Sequence, residues 1–155
     1  MGSLLLLNAP QGMQFGIDNQ YWTVGPLFKG VKLIPKGTHF VYFALKDEQY
    51  AARMGFFIHV KGIDKAVHDQ EKQRQQMLNQ IIVRTWDDEL QAFTRLQSEA
   101  DECAYKEGVL NMDFDRNLGA YPMDNYSAWL QLASFISAEV MERVQPINDR
   151  IILSE

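Results

Sequence analysis

The sequence predicts an α+β domain, with an antiparallel, sandwich-like sheet of short strands followed by two or three packed helices. Three observations carry this. Eight of the ten glycines and three of the five prolines lie before residue 63, so turn punctuation is dense early and sparse later. Between those turns sit short runs rich in β-branched and aromatic residues. After Trp86 the apolar period changes and helix formers dominate. Strands first and helices second is the order expected when helices cover one face or end of a mostly antiparallel sheet.

In chain order, the predicted strands are Leu4–Asn8, Met13–Ile17, Tyr21–Val24, Val31–Ile34, Thr38–Leu45 and Met54–Val60. Pro10-Gln11-Gly12 and Pro35-Lys36-Gly37 space Pro and Gly as tight turns require. Residues 61–79 are Gln- and charge-rich, and their apolar positions leave too wide a gap for an amphipathic stripe. They read as a flexible, partly helical insertion between paired strands. Ile81–Trp86 is a further strand, with Ile82, Arg84 and Trp86 on one face and Ile81, Val83 and Thr85 on the other. Ser98 with Asp101 three residues on marks a helix start, and Gly108 weakens that helix. Asp124 caps a second helix whose Tyr126, Trp129, Leu130, Ala133 and Ile136 form one apolar face. Ser137 caps a short third helix with Val140, Met141 and Val144 inward, and Pro146 stops it.

The 155 residues, 46% of them hydrophobic, suit one domain spanning 1–155. A chain of this size buries roughly 70% of its unfolded surface and needs no metal or disulfide to fold. Cys103 is the sole cysteine, which excludes a disulfide framework and suits a reducing, intracellular compartment. Leu4–Leu7 is far shorter than the ~20 apolar residues of a membrane helix. Net charge is −5 but uneven: residues 1–80 carry +3 and residues 81–155 carry −8. An acidic second half argues against a broad nucleic-acid footprint. The mildly basic first half reads as a solvated, mixed-charge surface, with contact to an acidic protein patch as the alternative.

No catalytic, cofactor-binding or metal-binding constellation emerges. His39, His59 and His68 do not share metal spacing with each other or with Cys103. His39 reads as packed or hydrogen-bonded in its strand, and Cys103 as a buried structural thiol. There is no G-x-S-x-G elbow and no phosphate-cradling glycine motif. Asp87, Asp88 and Glu89 read as acids at a helix N-terminus. Asp113 and Asp115 are two apart and would not face each other on a helix. Phe40, Tyr42 and Phe43 straddle both faces of one strand without interleaved cations, so packing explains them better than base stacking. Trp22, Trp86 and Trp129 read as core anchors; one left exposed would be a protein-binding hot spot. The residues alone therefore describe a domain that works by contact. A single-stranded RNA-binding module using the aromatic strands, or a small-molecule enzyme with a site between sheet and helices, stay open beside it.

A series of short blocks carries a family resemblance. It begins with Leu4–Asp18 (LLLLNAPQGMQFGID) and continues through Trp22–Pro26, Phe28–Lys32 and Ile34–Phe40. Arg53–Phe57, Val83–Trp86, Leu118–Pro122, Trp129-Leu130 and Phe135–Ser137 follow in order. Jointly these blocks resemble the N-terminal domain of the Aar-two family, the A-one cistron splicing factors. The resemblance implies a non-enzymatic assembly factor of the spliceosomal U5 small nuclear ribonucleoprotein, present in cytoplasm and nucleus. It implies binding to the large scaffold protein Prp-eight through its ribonuclease-H-like domain, and exclusion of a helicase and the U4/U6 RNAs until later. It also implies a helical C-terminal domain, absent from a chain that stops just after Arg150-Ile151-Ile152-Leu153. A monomer with no cofactor, no membrane contact and no direct nucleic-acid contact follows. Asp18, Trp22, Lys29 and Lys32, where cations and an aromatic fall near turns, are the candidate partner-binding residues.

Overall fold

The computed structural model describes residues 1–18, 20–45, 53–123, 126 and 151–153. The strands are β1 (Gly2–Leu7), β2 (Gln14–Ile17), β3 (Gln20–Thr23), β4 (Gly30–Ile34), β5 (Gly37–Ala44), β6 (Arg53–Val60), β7 (Ile81–Asp87), β8 (Ala92–Thr94), β9 (Leu118–Ala120) and β10 (Ile151–Leu153). The helices are α1 (Gln70–Asn79) and α2 (Glu99–Leu110). Among the described residues the strands form two five-stranded sheets, in the orders β8-β7-β1-β4-β9 and β10-β6-β5-β2-β3. The α+β class stands. The first sheet is mixed, because β1 runs parallel to β7 and β4 parallel to β9. The predicted second and third helices fall outside the described residues, apart from Tyr126. No helix among the described residues is long and apolar enough to cross a membrane.

The run Leu4-Leu5-Leu6 makes sense once β1 is central. A strand covered on both faces reads as continuously apolar rather than alternating. Leu4 and Leu6 enter the core between the sheets, with Phe15, Ile17, Val41, Phe43 and Phe56. Leu5 points the other way, into a second cluster with Ile81, Val83, Val109 and Leu118, which α2 helps to close. The predicted two faces of β7 follow the same division: Ile82 and Trp86 join the inter-sheet core, Ile81 and Val83 the helix side. Helix, sheet and sheet are thus stacked in three layers.

β4 needs an irregularity to fit. Val31 and Ile34 are both fully buried in the inter-sheet core although three residues apart. The pairing with β1 slips between Gly2 and Leu4, so that two residues of β1 span three of β4. The extra residue resets the alternation and turns Leu33 outward, 51% exposed at φ 60°. Gly30 opens the strand at φ 142°, where a Cβ would lie 1.9 Å from the Leu4 carbonyl oxygen. Gly30→Ala is therefore expected to lose about 2–5 kcal/mol, combining backbone strain with steric displacement of β1. A urea midpoint unchanged from the parent would refute this.

Local reading succeeds and fails for identifiable reasons. Ser98 caps α2, its Oγ accepting from Asp101 N at 3.2 Å. The helix runs through Gly108, which is buried; a Cβ there would meet the Phe114 ring at 2.8 Å. Residues 70–79 of the insertion form α1, capped by Asp69, whose Oδ1 accepts from Glu71 N at 3.0 Å. Good helix formers and one buried anchor, Leu78, hold it without an apolar stripe. Arg74 pairs with Glu107 and ties α1 to α2.

Two expectations are corrected. Asp87, Asp88 and Glu89 do not begin a helix. They build the turn between β7 and β8, where Asp87 Oδ1 accepts from Glu89 N and Leu90 N, and Asp88 Oδ1 accepts from Trp86 Nε1. Cys103 is exposed rather than buried, because α2 packs through Tyr105, Val109 and Leu110.

Candidate partner-binding surface

The β2–β3 hairpin lays Trp22 opposite Phe15. Phe15 is fully buried, and Trp22 stacks on its open side with ring centroids 6.2 Å apart and planes 22° apart. Phe28 completes the group at 5.4 Å from Phe15 and 6.3 Å from Trp22. Trp22 is half-buried, so it is part core anchor and part surface. On the far side of Phe28 a cleft of about 340 Å³ is walled by Phe28, Lys29, Pro26, Ala9, Tyr105 and Phe114. Lys29 is exposed, and its Nζ lies 5.5 Å from the centre of the Phe114 ring. Leu27 beside it is 71% exposed, and Tyr21 on the hairpin 65%.

The loop that carries Leu27, Phe28 and Lys29 is held at three points. Leu6 N donates to Lys29 O at 2.7 Å, Lys29 N to Asn117 O at 2.8 Å, and Asn117 Nδ2 to Leu27 O at 2.7 Å. A loop fixed in this way loses little conformational freedom on association. Lys32 lies further along β4 and meets Asp115 Oδ1 at 3.0 Å, with both side chains about a third exposed. Such a pair contributes at most about 1 kcal/mol, so Lys32 is cheaply exchanged onto another carboxylate.

Asp18 does something different. Its side chain is 3% exposed and turned into the protein. Oδ1 accepts from Phe40 N at 2.9 Å. Oδ2 lies 2.6 Å from His39 Nδ1 and also accepts from the Tyr121 hydroxyl. His39 Nε2 donates to the Pro35 carbonyl at 2.7 Å. His39, 1% exposed, is thus packed and hydrogen-bonded as its sequence context predicts. Burial, reinforced by the bond to Asp18, pushes the Tyr121 hydroxyl well above its usual range and keeps it a donor. The cluster joins β2 and β5 of one sheet to the segment just after β9 of the other.

Of the four sequence-predicted residues, Trp22 packs on Phe28 and Lys29 lines the cleft beside Phe28, Lys32 is held by Asp115, and the carboxylate of Asp18 faces inward. The aromatic walls Phe28, Tyr105 and Phe114 were not singled out in the sequence. Phe28 had a local signal, an aromatic directly after the Pro26-Leu27 turn. Tyr105 and Phe114 had none, because they reach the cleft only through the docking of α2. Among the described residues no three His, Cys, Asp or Glu side chains converge as metal ligands would.

Comparison with known proteins gives one consistent result. The sequence model described as "AAR2 N-terminal domain" matches residues 1–146. A Caenorhabditis elegans protein named "Protein AAR2 homolog" is 36% identical over 148 residues, which cover 96% of this chain and 36% of that protein. The Mus musculus protein of the same name is 34% identical and the Homo sapiens one 33%, each over 96% of this chain and 35% of its own length. The chain thus spans about a third of the length of these curated relatives. None of these names is an enzyme name. The chain belongs to the AAR2 N-terminal domain family.

Proposed function

We propose that this domain is a protein-binding module of pre-mRNA splicing, acting without catalysis in assembly of the U5 small nuclear ribonucleoprotein. Its partner is the large scaffold protein Prp-eight, engaged through the ribonuclease-H-like domain. Occupying that surface holds off the helicase and the U4/U6 RNAs until assembly advances. The work is done in cytoplasm and nucleus by a monomer with no cofactor and no direct RNA contact. Family membership supports the class of role. The observation that carries the contact surface is the Trp22–Phe28–Lys29 group, in which Phe28 and Lys29, on a loop fixed at three points, sit beside Trp22 of β3. Exclusion of competitors needs an interface of ~1,200–2,000 Å², and a few central aromatic and cationic groups dominate the binding energy of such interfaces.

The test is a calorimetric titration of this 155-residue chain against the scaffold's ribonuclease-H-like domain. Saturable binding is expected, with Trp22→Ala losing about 2 kcal/mol or more, close to thirtyfold, if the ring is a hot spot. Circular dichroism of the variant separates lost contact from lost fold. No detectable association at high micromolar concentration, with folded parent protein, would count against the domain binding alone.

Single-stranded RNA binding is the second reading, favoured by the half-buried rings of Phe40, Tyr42 and Phe57 on β5 and β6. They already pack on one another, Phe40 lying 4.9 Å from Phe57 and 6.0 Å from Tyr42. Tyr42 and Phe40 also fill the space above Gly16 and Gly55, where a Cβ would fall within 2.2 and 2.5 Å of ring atoms. A stacked base would have to displace them.

A further inference from the structure

The hydrogen-bond directions around β3 show which of its backbone groups point away from the sheet. Val24 N donates to Met13 O at 2.7 Å, and Gly12 N to Val24 O at 2.9 Å. Val24 therefore turns its backbone groups toward β2. Successive residues of an antiparallel strand turn theirs to opposite sides. Trp22 and Gln20 thus also face β2, opposite Phe15 and Ile17. The Tyr42 hydroxyl agrees: its ring lies over Gly16 of β2 and it donates to Gln20 O at 3.3 Å. So does the other side of β2, where Asp18 N donates to Phe40 O at 2.8 Å and leaves Phe15 and Ile17 for β3. Tyr21 and Thr23 remain, with N–H and C=O directed outward. β3 is an edge strand among the described residues, and no hydrogen bond within them reaches these outward groups. Both side chains are exposed, that of Tyr21 at 65%.

Natural sheets guard such edges with charged residues, proline or a bulge. Gln20–Thr23 (QYWT) has no charged residue and no proline, and it pairs with β2 without a slip in register. Tyr, Trp and Thr are residues that paired strands favour. The edge is also held in place, because Trp22 packs on Phe15 and Phe28. From this geometry we infer that the outer edge of β3 pairs with an extended segment of the protein partner, which adds a strand to the sheet. The inference rests on the protein-binding reading above and adds how the partner is engaged. Main-chain bonds to Tyr21 and Thr23 give the attachment, and alternate side chains of the segment give the selectivity. In antiparallel pairing the incoming residue opposite Trp22 falls at a non-hydrogen-bonded position, where facing side chains come closest. A β-branched or aromatic side chain there covers the open part of the half-buried Trp22 ring. A second copy of this chain fits the edge less well. Two four-residue strands bury far less than the ~1,200–2,000 Å² of a stable interface. A partner strand is instead continuous with the Trp22–Phe28–Lys29 surface beside it.

The probe is the scaffold's ribonuclease-H-like domain, added to the 155-residue chain with amide hydrogen exchange followed residue by residue by NMR. In the free chain the Trp22 amide, bonded to β2, should exchange more slowly than those of Tyr21 and Thr23. In the complex the Tyr21 and Thr23 amides are expected to slow at least tenfold. Thr23→Pro removes an outward N–H without breaking a bond to β2, the placement in which edge strands tolerate proline. It should weaken binding tenfold or more, whereas Thr23→Val, which keeps the N–H, should bind as the parent does. A thermal midpoint close to that of the parent confirms that Thr23→Pro is folded, and if it is not, the exchange of the parent alone decides. Scaffold binding with no added protection at Tyr21 and Thr23 would overturn the strand pairing and leave the protein-binding reading standing. So would a loss in Thr23→Val equal to that in Thr23→Pro, which would place the effect in the side chain. Absence of association with folded parent would remove the proposed partner and this inference with it. Protection that appears in the chain alone as its concentration rises, with a doubled mass in sedimentation, would give the edge to a second copy and overturn the assignment.

Discussion

Asp18→Ala should be among the most damaging single changes available, lowering stability by about 3–5 kcal/mol. One carboxylate satisfies the Phe40 amide, His39 Nδ1 and the Tyr121 hydroxyl in a site where its own side chain is 3% exposed. Its removal leaves the Phe40 amide and the Tyr121 hydroxyl without their acceptor and takes away the Asp18 partner of His39 Nδ1, and an unsatisfied buried polar group costs more than a made hydrogen bond contributes. Tyr121→Phe deletes only one donor and should cost about 1 kcal/mol. Urea unfolding of the two variants gives both values. An Asp18→Ala midpoint close to that of the parent would show that the cluster is dispensable. The same experiment separates fold from contact. If Asp18 acts only through the fold, the remaining folded fraction of Asp18→Ala should bind the scaffold domain as tightly as the parent.

Phe43→Ala is the second large effect, at about 3–5 kcal/mol. The ring is 1% exposed and meets Trp86 and Phe93 edge-on, at 5.7 and 5.1 Å between centroids. Trp86 and Phe93 are themselves 5.2 Å apart, so three rings from β5, β7 and β8 close one end of the inter-sheet core. Truncation removes the transfer free energy of the ring and leaves a cavity that two rigid neighbours cannot fill. Phe43→Leu, which keeps most of the volume, should cost less than about 1.5 kcal/mol. The check is urea unfolding followed by tryptophan fluorescence. Equal midpoints for Phe43→Ala and the parent would mean that this end of the core is not close-packed.

Much of this architecture was legible beforehand. Every strand from β1 to β7 lies within two residues of its predicted bounds, because Gly and Pro mark the turns before β2 and from β3 to β5, and runs of β-branched and aromatic residues mark the others. The Ser98 cap was legible for the same local reason. What stayed hidden depends on partners distant in sequence. β8 is three residues long and becomes a strand only by pairing Phe93 with Trp86. Parallel pairing of β1 with β7 leaves no local trace, since both strands would be apolar in either direction. The candidate surface shows the same split. Trp22 and Lys29 carry a local signature as an aromatic and a cation near turns. The inward turn of Asp18 was set by His39, Phe40 and Tyr121, which contribute nothing to its immediate sequence neighbourhood.

The central position of β1 constrains how the molecule is made. Its first neighbour, β4, begins at residue 30, and its other neighbour, β7, at residue 81. A ribosome adding ~5–20 residues per second therefore leaves the leucine-rich first strand half-satisfied for several seconds, a hydrophobic edge waiting for chain not yet synthesised. The β2–β3 hairpin of the neighbouring sheet carries no such delay, because its two strands are joined by a short turn. Nascent-chain order is thus written into the topology, with the local hairpin forming early and the leucine strand enclosed only once β7 has been made.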